Sequence, residues 1–134
     1  MQKIMVETNI FIYDLDENIT FHDRCSKLLK NPECIFFTST KNISEFFSVC
    51  SNLKFENGKV WQYYVDIRNN CNLLYPDEKS MDFFESLIST YKPSGNRFYD
   101  IEIVSIMLAN NIREIATINK KDFQHIKEIS LFEF

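Results

Sequence analysis

Four short apolar runs, each separated from the next by segments of helical periodicity, constrain this 134-residue chain more than any other feature. The runs cover residues 3–6, 34–37, 72–75 and 114–118, lengths that suit buried strands. Between them, Ile43, Phe46, Phe47 and Cys50 recur at i, i+3, i+4, i+7 spacing, and Leu53 continues that stripe on an amphipathic helix. Further helices are expected over 10–13, 22–30, 59–68, 79–91 and 99–109, with a short turn or helix at 122–125. Residues 130–134 read as a last edge strand. Thr38-Ser39-Thr40 suits helix caps, and Lys92-Pro93-Ser94-Gly95-Asn96 is the clearest loop. Strands alternating with helices mean an α/β fold with a mainly parallel sheet, and residues 1–134 read as one domain.

Only two residues are glycine, Gly58 and Gly95. That count excludes a P-loop, a dinucleotide fingerprint and a nucleophile elbow, each of which needs closely spaced glycines. Gly58 reads as a turn before the helix at 59–68. The cysteines, Cys25, Cys34, Cys50 and Cys71, form no C-x-x-C pair, and His22 and His125 lie far apart, so no zinc set is expected. Free thiols in a reducing cytoplasm are the simpler reading. No apolar run is long enough to span a membrane, and the N-terminus shows no secretory h-region. The net charge of −4 disfavours nucleic-acid binding by bulk electrostatics but leaves metal-mediated binding open.

In open parallel sheets ligands sit beyond the carboxyl ends of the strands, so the polar residues there matter most. Glu7 follows the first run directly. Glu45 lies in the first turns of the helix after the second, and Asn119 and Asp122 follow the fourth. Asp100 opens the apolar helix at 99–109 and shares its face with Ile103, Val104 and Met107. A carboxylate on an apolar stripe is costly unless paired or metal-bound. The alternative for Asp100 is an N-cap, although no Glu or Gln completes a capping box. For Asn119 and Asp122 the alternative is turn chemistry, and for Glu45 a solvated helix face.

Four phrases built on these residues resemble the PIN-domain family, particularly the ribonuclease toxins of VapBC-type modules. They read Ile4-Met5-Val6-Glu7-Thr8-Asn9, Ile43-Ser44-Glu45-Phe46-Phe47-Ser48-Val49, Gly95-Asn96-Arg97-Phe98-Tyr99-Asp100-Ile101 and Thr117-Ile118-Asn119-Lys120-Lys121-Asp122-Phe123. Their order matches the family and they span nearly the whole chain. The resemblance implies a three-layer α/β/α fold with a mainly parallel sheet of four or five strands. It implies an acidic site of Glu7, Glu45 and Asp100, completed by Asn119 or Asp122, with Thr8, Asn9 and Thr117 positioning the ligands. Oxygen ligands favour Mg²⁺ or Mn²⁺, and the implied reaction is hydrolysis of an RNA phosphodiester by water activated at the metal. Arg97, Lys120 and Lys121 flank the cleft as candidate phosphate contacts, with ordinary solvated surface charge as the alternative. Implied partners are an RNA substrate, a second copy of the chain and a cognate antitoxin protein; Phe46, Phe47, Trp61 or Phe134 could serve an interface, although core packing is the simpler reading for most of them.

The first acidic residue of the family is normally Asp. Glu7 keeps the charge but carries the carboxylate about 1.5 Å further out, and a displacement of about 1 Å can cost on the order of 10²-fold in rate. A catalytically impaired PIN fold that binds RNA or an antitoxin is therefore the second reading. A third draws on Asp14-Leu15-Asp16, which is similar to the opening of haloacid-dehalogenase-type phosphatases, with Asp14 as nucleophile; the later Gly-Asp motif such enzymes need is absent.

Overall fold

The computed structural model describes all residues, Met1–Phe134. The strand β1 (Gln2–Val6) is central, and its last three residues are fully buried. Ile4 and Val6 join the core on one face of the sheet while Met5 joins the core on the other. Burial on both faces explains why the segment is a continuous apolar run rather than an alternating one.

Five strands form an entirely parallel sheet in the order β3-β2-β1-β4-β5, where β2 is Cys34–Ser39, β3 Asn72–Leu74, β4 Glu114–Ala116 and β5 Ser130–Leu131. The chain winds outward from β1 through β2 to β3, then crosses to the other side of β1 to lay down β4 and β5. Six helices make the connections: α1 (Thr8–Leu15), α2 (His22–Leu29), α3 (Thr40–Asn52), α4 (Asn57–Asn70), α5 (Glu78–Tyr91) and α6 (Arg97–Ala109). Right-handed crossovers running in opposite directions place their helices on opposite faces. Accordingly α1 to α4 supply Phe11, Cys25, Phe46 and Val60 to one core, and α5 and α6 supply Leu87, Ile101, Val104 and Met107 to the other. The result is the expected three-layer α/β/α arrangement.

Boundaries differ from expectation where side chains capture backbone groups. Thr38 and Ser39 belong to β2, and only Ser39 caps α3, in a reciprocal capping box with Asn42. The strand β4 stops at Ala116, because the Ile118 N–H leaves the ladder to bond the Asn9 side chain. A 3-10 helix occupies Lys120–Asp122 and a turn follows over 123–125, so the short turn or helix expected at 122–125 is present but begins earlier. Gly58 lies inside the first turn of α4, where a Cβ would approach Glu56 Oε1 to 2.8 Å. Gly95, with φ +57, takes the left-handed conformation that the loop before α6 requires. All four cysteines are free. No helix is long and apolar enough to cross a membrane. Of the aromatics with a claim to an interface, Phe46 is fully buried, whereas Trp61 is 59% exposed beside Phe47 and Tyr64.

Candidate active site

The strand order reverses between β1 and β4, so the loops leaving their carboxyl ends part in opposite directions and open a crevice. Glu7 stands at this point. Its N–H still donates to the Ala116 carbonyl at 3.1 Å, and its carboxylate accepts the Asn9 N–H at 3.3 Å as the N-cap of α1. The next two residues fix the surroundings. Buried Thr8 donates through Oγ1 to the Asn42 carbonyl at 3.3 Å and accepts from Asn42 Nδ2 at 3.1 Å, locking the start of α1 to the start of α3. Asn9 reaches the other way, with Nδ2 donating to Thr117 Oγ1 and Oδ1 accepting the Ile118 N–H, each at 3.3 Å. Thr117 Oγ1 also accepts the Asn119 N–H at 3.0 Å.

These ties bring the helix starts together around a cavity of about 270 Å³ bordered by Glu7, Glu45 and Asp100, with Lys41, Tyr99 and Glu102. Asp100 does not cap its helix. The first residue of α6 is Arg97, so Asp100 lies a turn inside, and the capping alternative fails. On its other side Asp100 borders a second cavity, of about 210 Å³, with Lys92, Arg97, Asp122 and His125. The carboxylates act on one another. Burial first, then the charge of Glu45, raises the Glu7 pKa from 4.5 to about 7, with Asp100 adding a smaller push. Asp100 rises from 3.8 to about 6 through burial and the charge of Asp122; Arg97 opposes the change and Glu45 adds to it. Partial burial and Asp122 also push Glu45 upward.

Of the two candidates after β4, the fold brings Asp122 to the cluster and leaves Asn119 exposed, its side chain making no capping bond. Arg97 pairs with Asp122 at 3.6 Å and donates to the Lys121 carbonyl at 3.4 Å. Lys120 turns to Glu133 at 3.4 Å, and Lys121 is exposed. Lys41 and Tyr99 also border the first cavity, and neither carries a site signal of its own in the sequence. Each is a helical neighbour of a motif residue, Lys41 four positions before Glu45 and Tyr99 immediately before Asp100. Lys41 pairs with Glu102 at 3.5 Å across the cavity. The phosphatase reading of Asp14 and Asp16 is corrected. Asp14 lies near the far end of α1, held by the hydroxyls of Ser26 and Tyr63, and Asp16 is that helix's C-cap. Neither stands at a strand end, where a nucleophilic Asp would need to be.

The cluster contains only oxygen donors and more negative charge than Arg97 and Lys41 offset, a combination that suits a hard divalent cation. No three His, Cys, Asp or Glu side chains converge in a ready-made cage. Mg²⁺ does not require one, since it is commonly bound by one or two carboxylates together with waters and substrate phosphates. The residues therefore fit such an ion.

The PIN domain family model matches residues 4–129. No curated protein matches the chain by sequence comparison. Among solved structures the fold is similar to a chain of VapBC2 from Rickettsia felis bound to a DNA fragment from its promoter, with TM-score 0.75, 19% identity and 99% of each chain covered. It is also similar to VapBC-1 from nontypeable Haemophilus influenzae, with TM-score 0.71, 24% identity and 98% of each chain covered. VapC20 of Mycobacterium tuberculosis, a toxin that cleaves the sarcin-ricin loop, aligns with TM-score 0.65 and 14% identity over 84% of this chain and 86% of its own.

Proposed function

Because the chain belongs to the PIN-domain family, we propose that it is an endoribonuclease that hydrolyses RNA phosphodiesters at Glu7, Glu45, Asp100 and Asp122. The observation that carries this reading is the gathering of these carboxylates in a half-buried cleft, where burial first and mutual repulsion second lift Glu7 to about 7 and Asp100 to about 6. Such crowding is uneconomical in a merely structural site, and perturbed acidic groups in a cleft are characteristic of function.

Glu7 and Asp100, assisted by Glu45 and Asp122, would hold Mg²⁺ or Mn²⁺, which when bound supplies a lowered pKa for the attacking water and charge compensation at the leaving 3′-oxygen. Glu45, on the open side of the cavity, takes up the proton that the water loses. Lys41, Arg97 and Lys121 attract the substrate's phosphates, and Lys120 guides RNA only when released from Glu133. Thr8, Asn9 and Thr117 hold the carboxylates at working distance, with Asn119 shaping the turn that presents Asp122.

Similarity to chains of toxin–antitoxin complexes supports a role as the toxin of such a pair, working in the cytoplasm with a cognate antitoxin and a second copy of itself as partners. Residues 1–134 would act as one domain. A second reading, an RNA- or antitoxin-binding module of impaired catalysis, draws on Glu7, whose longer side chain is already engaged in capping α1.

Single-turnover cleavage of RNA with and without EDTA decides between the two readings. Expected is cleavage that needs Mg²⁺ or Mn²⁺ and disappears in Asp100→Ala; equal rates in the variant would assign the cleavage to a contaminant and overturn the proposal.

A further inference from the structure

The cavity beside the carboxylates offers RNA little Coulombic attraction. Glu7, Glu45, Asp100 and Glu102 border it, its one lysine is paired to Glu102, and the whole chain carries a net charge of −4. An oligonucleotide that settles there needs a source of affinity other than bulk charge.

Tyr99 supplies one. It sits at the start of α6 immediately before Asp100, borders the cavity, and is 66% exposed. Tyr13, Tyr63, Tyr64 and Tyr91 each pack against another ring. Tyr75 and Tyr99 pack against no other ring, and of these two Tyr99 borders the cavity, where its exposure leaves ring surface open beside the acidic group. Ile103, one helical turn on and almost fully buried, gives the same cavity an apolar wall. An open aromatic face is a stacking platform for a nucleobase, worth roughly tenfold or more in affinity per base and tolerant of base identity.

We infer that Tyr99 is a base-stacking residue, whose ring takes the base of an unpaired nucleotide adjoining the phosphodiester presented to Glu7, Glu45 and Asp100. The inference rests on the ribonuclease reading for its substrate. A base held in a duplex has no free face to offer, so the nucleotide beside the cleavage point must be unpaired. Because Tyr99 touches the base rather than the reacting phosphate, its removal weakens binding more than turnover.

The test uses the full-length chain and short single-stranded RNAs in which 2-aminopurine replaces one base at a time. Its fluorescence is quenched on stacking, and Ca²⁺ in place of Mn²⁺ allows binding to be read apart from cleavage. The expected result is quenching at one or two positions next to the cleavage site. Tyr99→Phe and Tyr99→Trp retain it. Tyr99→Ala and Tyr99→Leu lose it, and the RNA concentration for half-maximal single-turnover rate rises about tenfold or more. Thermal melting checks that the variants fold, as the exposed position leads one to expect.

If Tyr99→Leu behaves like Tyr99→Phe, the ring is dispensable and the inference fails. Unchanged quenching and half-saturation in Tyr99→Ala, with RNA still cleaved, overturn the stacking role and leave the ribonuclease reading standing. Quenching that depends on the ring in a chain that cleaves nothing supports the stacking role and removes the ribonuclease reading. A chain that neither quenches nor cleaves removes both.

Discussion

Asn9 and Thr117 are joined side chain to side chain at 3.3 Å although 108 positions separate them, and the other end of the same Asn9 amide accepts the Ile118 N–H. One residue thus clamps the loop after β4 to the start of α1, across the crevice at which the strand order reverses. Replacing it by Ala removes two hydrogen bonds, each worth about 1 kcal/mol net. Asn9→Ala is expected to melt a few degrees lower yet lose about tenfold or more in cleavage rate, because the carboxylates on either side of the clamp drift apart. Asn9→Asp, which keeps the acceptor and loses the donor, should fall between. An unchanged rate in Asn9→Ala would show that the clamp does not position the site.

Stability should depend on pH with an unusual sign. Glu7 and Asp100 bind protons more tightly in the folded chain than their ordinary pKa values of 4.5 and 3.8 allow. Folding is therefore helped at low pH, and this contribution is lost as pH rises from about 4 through about 7. For Glu7 the loss is at most on the order of 3 kcal/mol. In EDTA, Glu7→Gln should melt higher than the parent at pH 8 and no higher at pH 4. Added Mg²⁺ should raise the parent's melting temperature at pH 8 far more than at pH 5. A Mg²⁺ effect equal at both values would dissociate cation binding from these carboxylates.

Shortening the first acidic residue tests the geometry directly. Asp is as good an N-cap as Glu7 and returns the carboxylate by about one carbon–carbon bond. Glu7→Asp should raise metal-dependent cleavage roughly tenfold or more, with little change in melting temperature. A rate no higher than the parent's would mean that Glu7 is already well placed.

Arg97 should matter for charge rather than for folding. Its pair with Asp122 is about half exposed, and such pairs contribute about 0–1 kcal/mol. Arg97 also restrains the rise of the Asp100 pKa. Arg97→Ala is expected to leave the melting temperature within a few degrees and to move the acidic limb of the pH–rate profile upward. A profile that stays in place would exclude electrostatic coupling between Arg97 and Asp100.

Asp14 should behave in the opposite way. It accepts from the hydroxyls of Ser26 and Tyr63 on the α1–α2–α4 side of the molecule. Asp14→Ala strands both donors and should cost about 1–3 kcal/mol in denaturant unfolding, with RNA cleavage unchanged in the molecules that remain folded. Loss of a phosphatase activity in this variant would instead revive Asp14 as a nucleophile.

Strand and helix identity, their alternation and the order of the acidic phrases were legible in the chain because they are local. Ile4, Met5 and Val6 announce a strand buried on both faces, and the Ile43–Phe46–Phe47–Cys50 stripe announces a helix with one buried side. Which acidic groups share a field is not local. Nothing in the residues around Asn119 and Asp122 distinguishes them; the 3-10 turn and the Arg97 pair bring Asp122 to Asp100 and leave Asn119 outside. Nor could spacing reveal that Asp100 lies a turn inside α6, that Ile118 forsakes the β-ladder for Asn9, or that the Tyr99 ring is left open. The tie from Ile118 to Asn9 crosses the point where the strand order reverses between β1 and β4. It joins segments distant in the chain, and the burial and repulsion that lift Glu7 and Asp100 arise only once those segments meet.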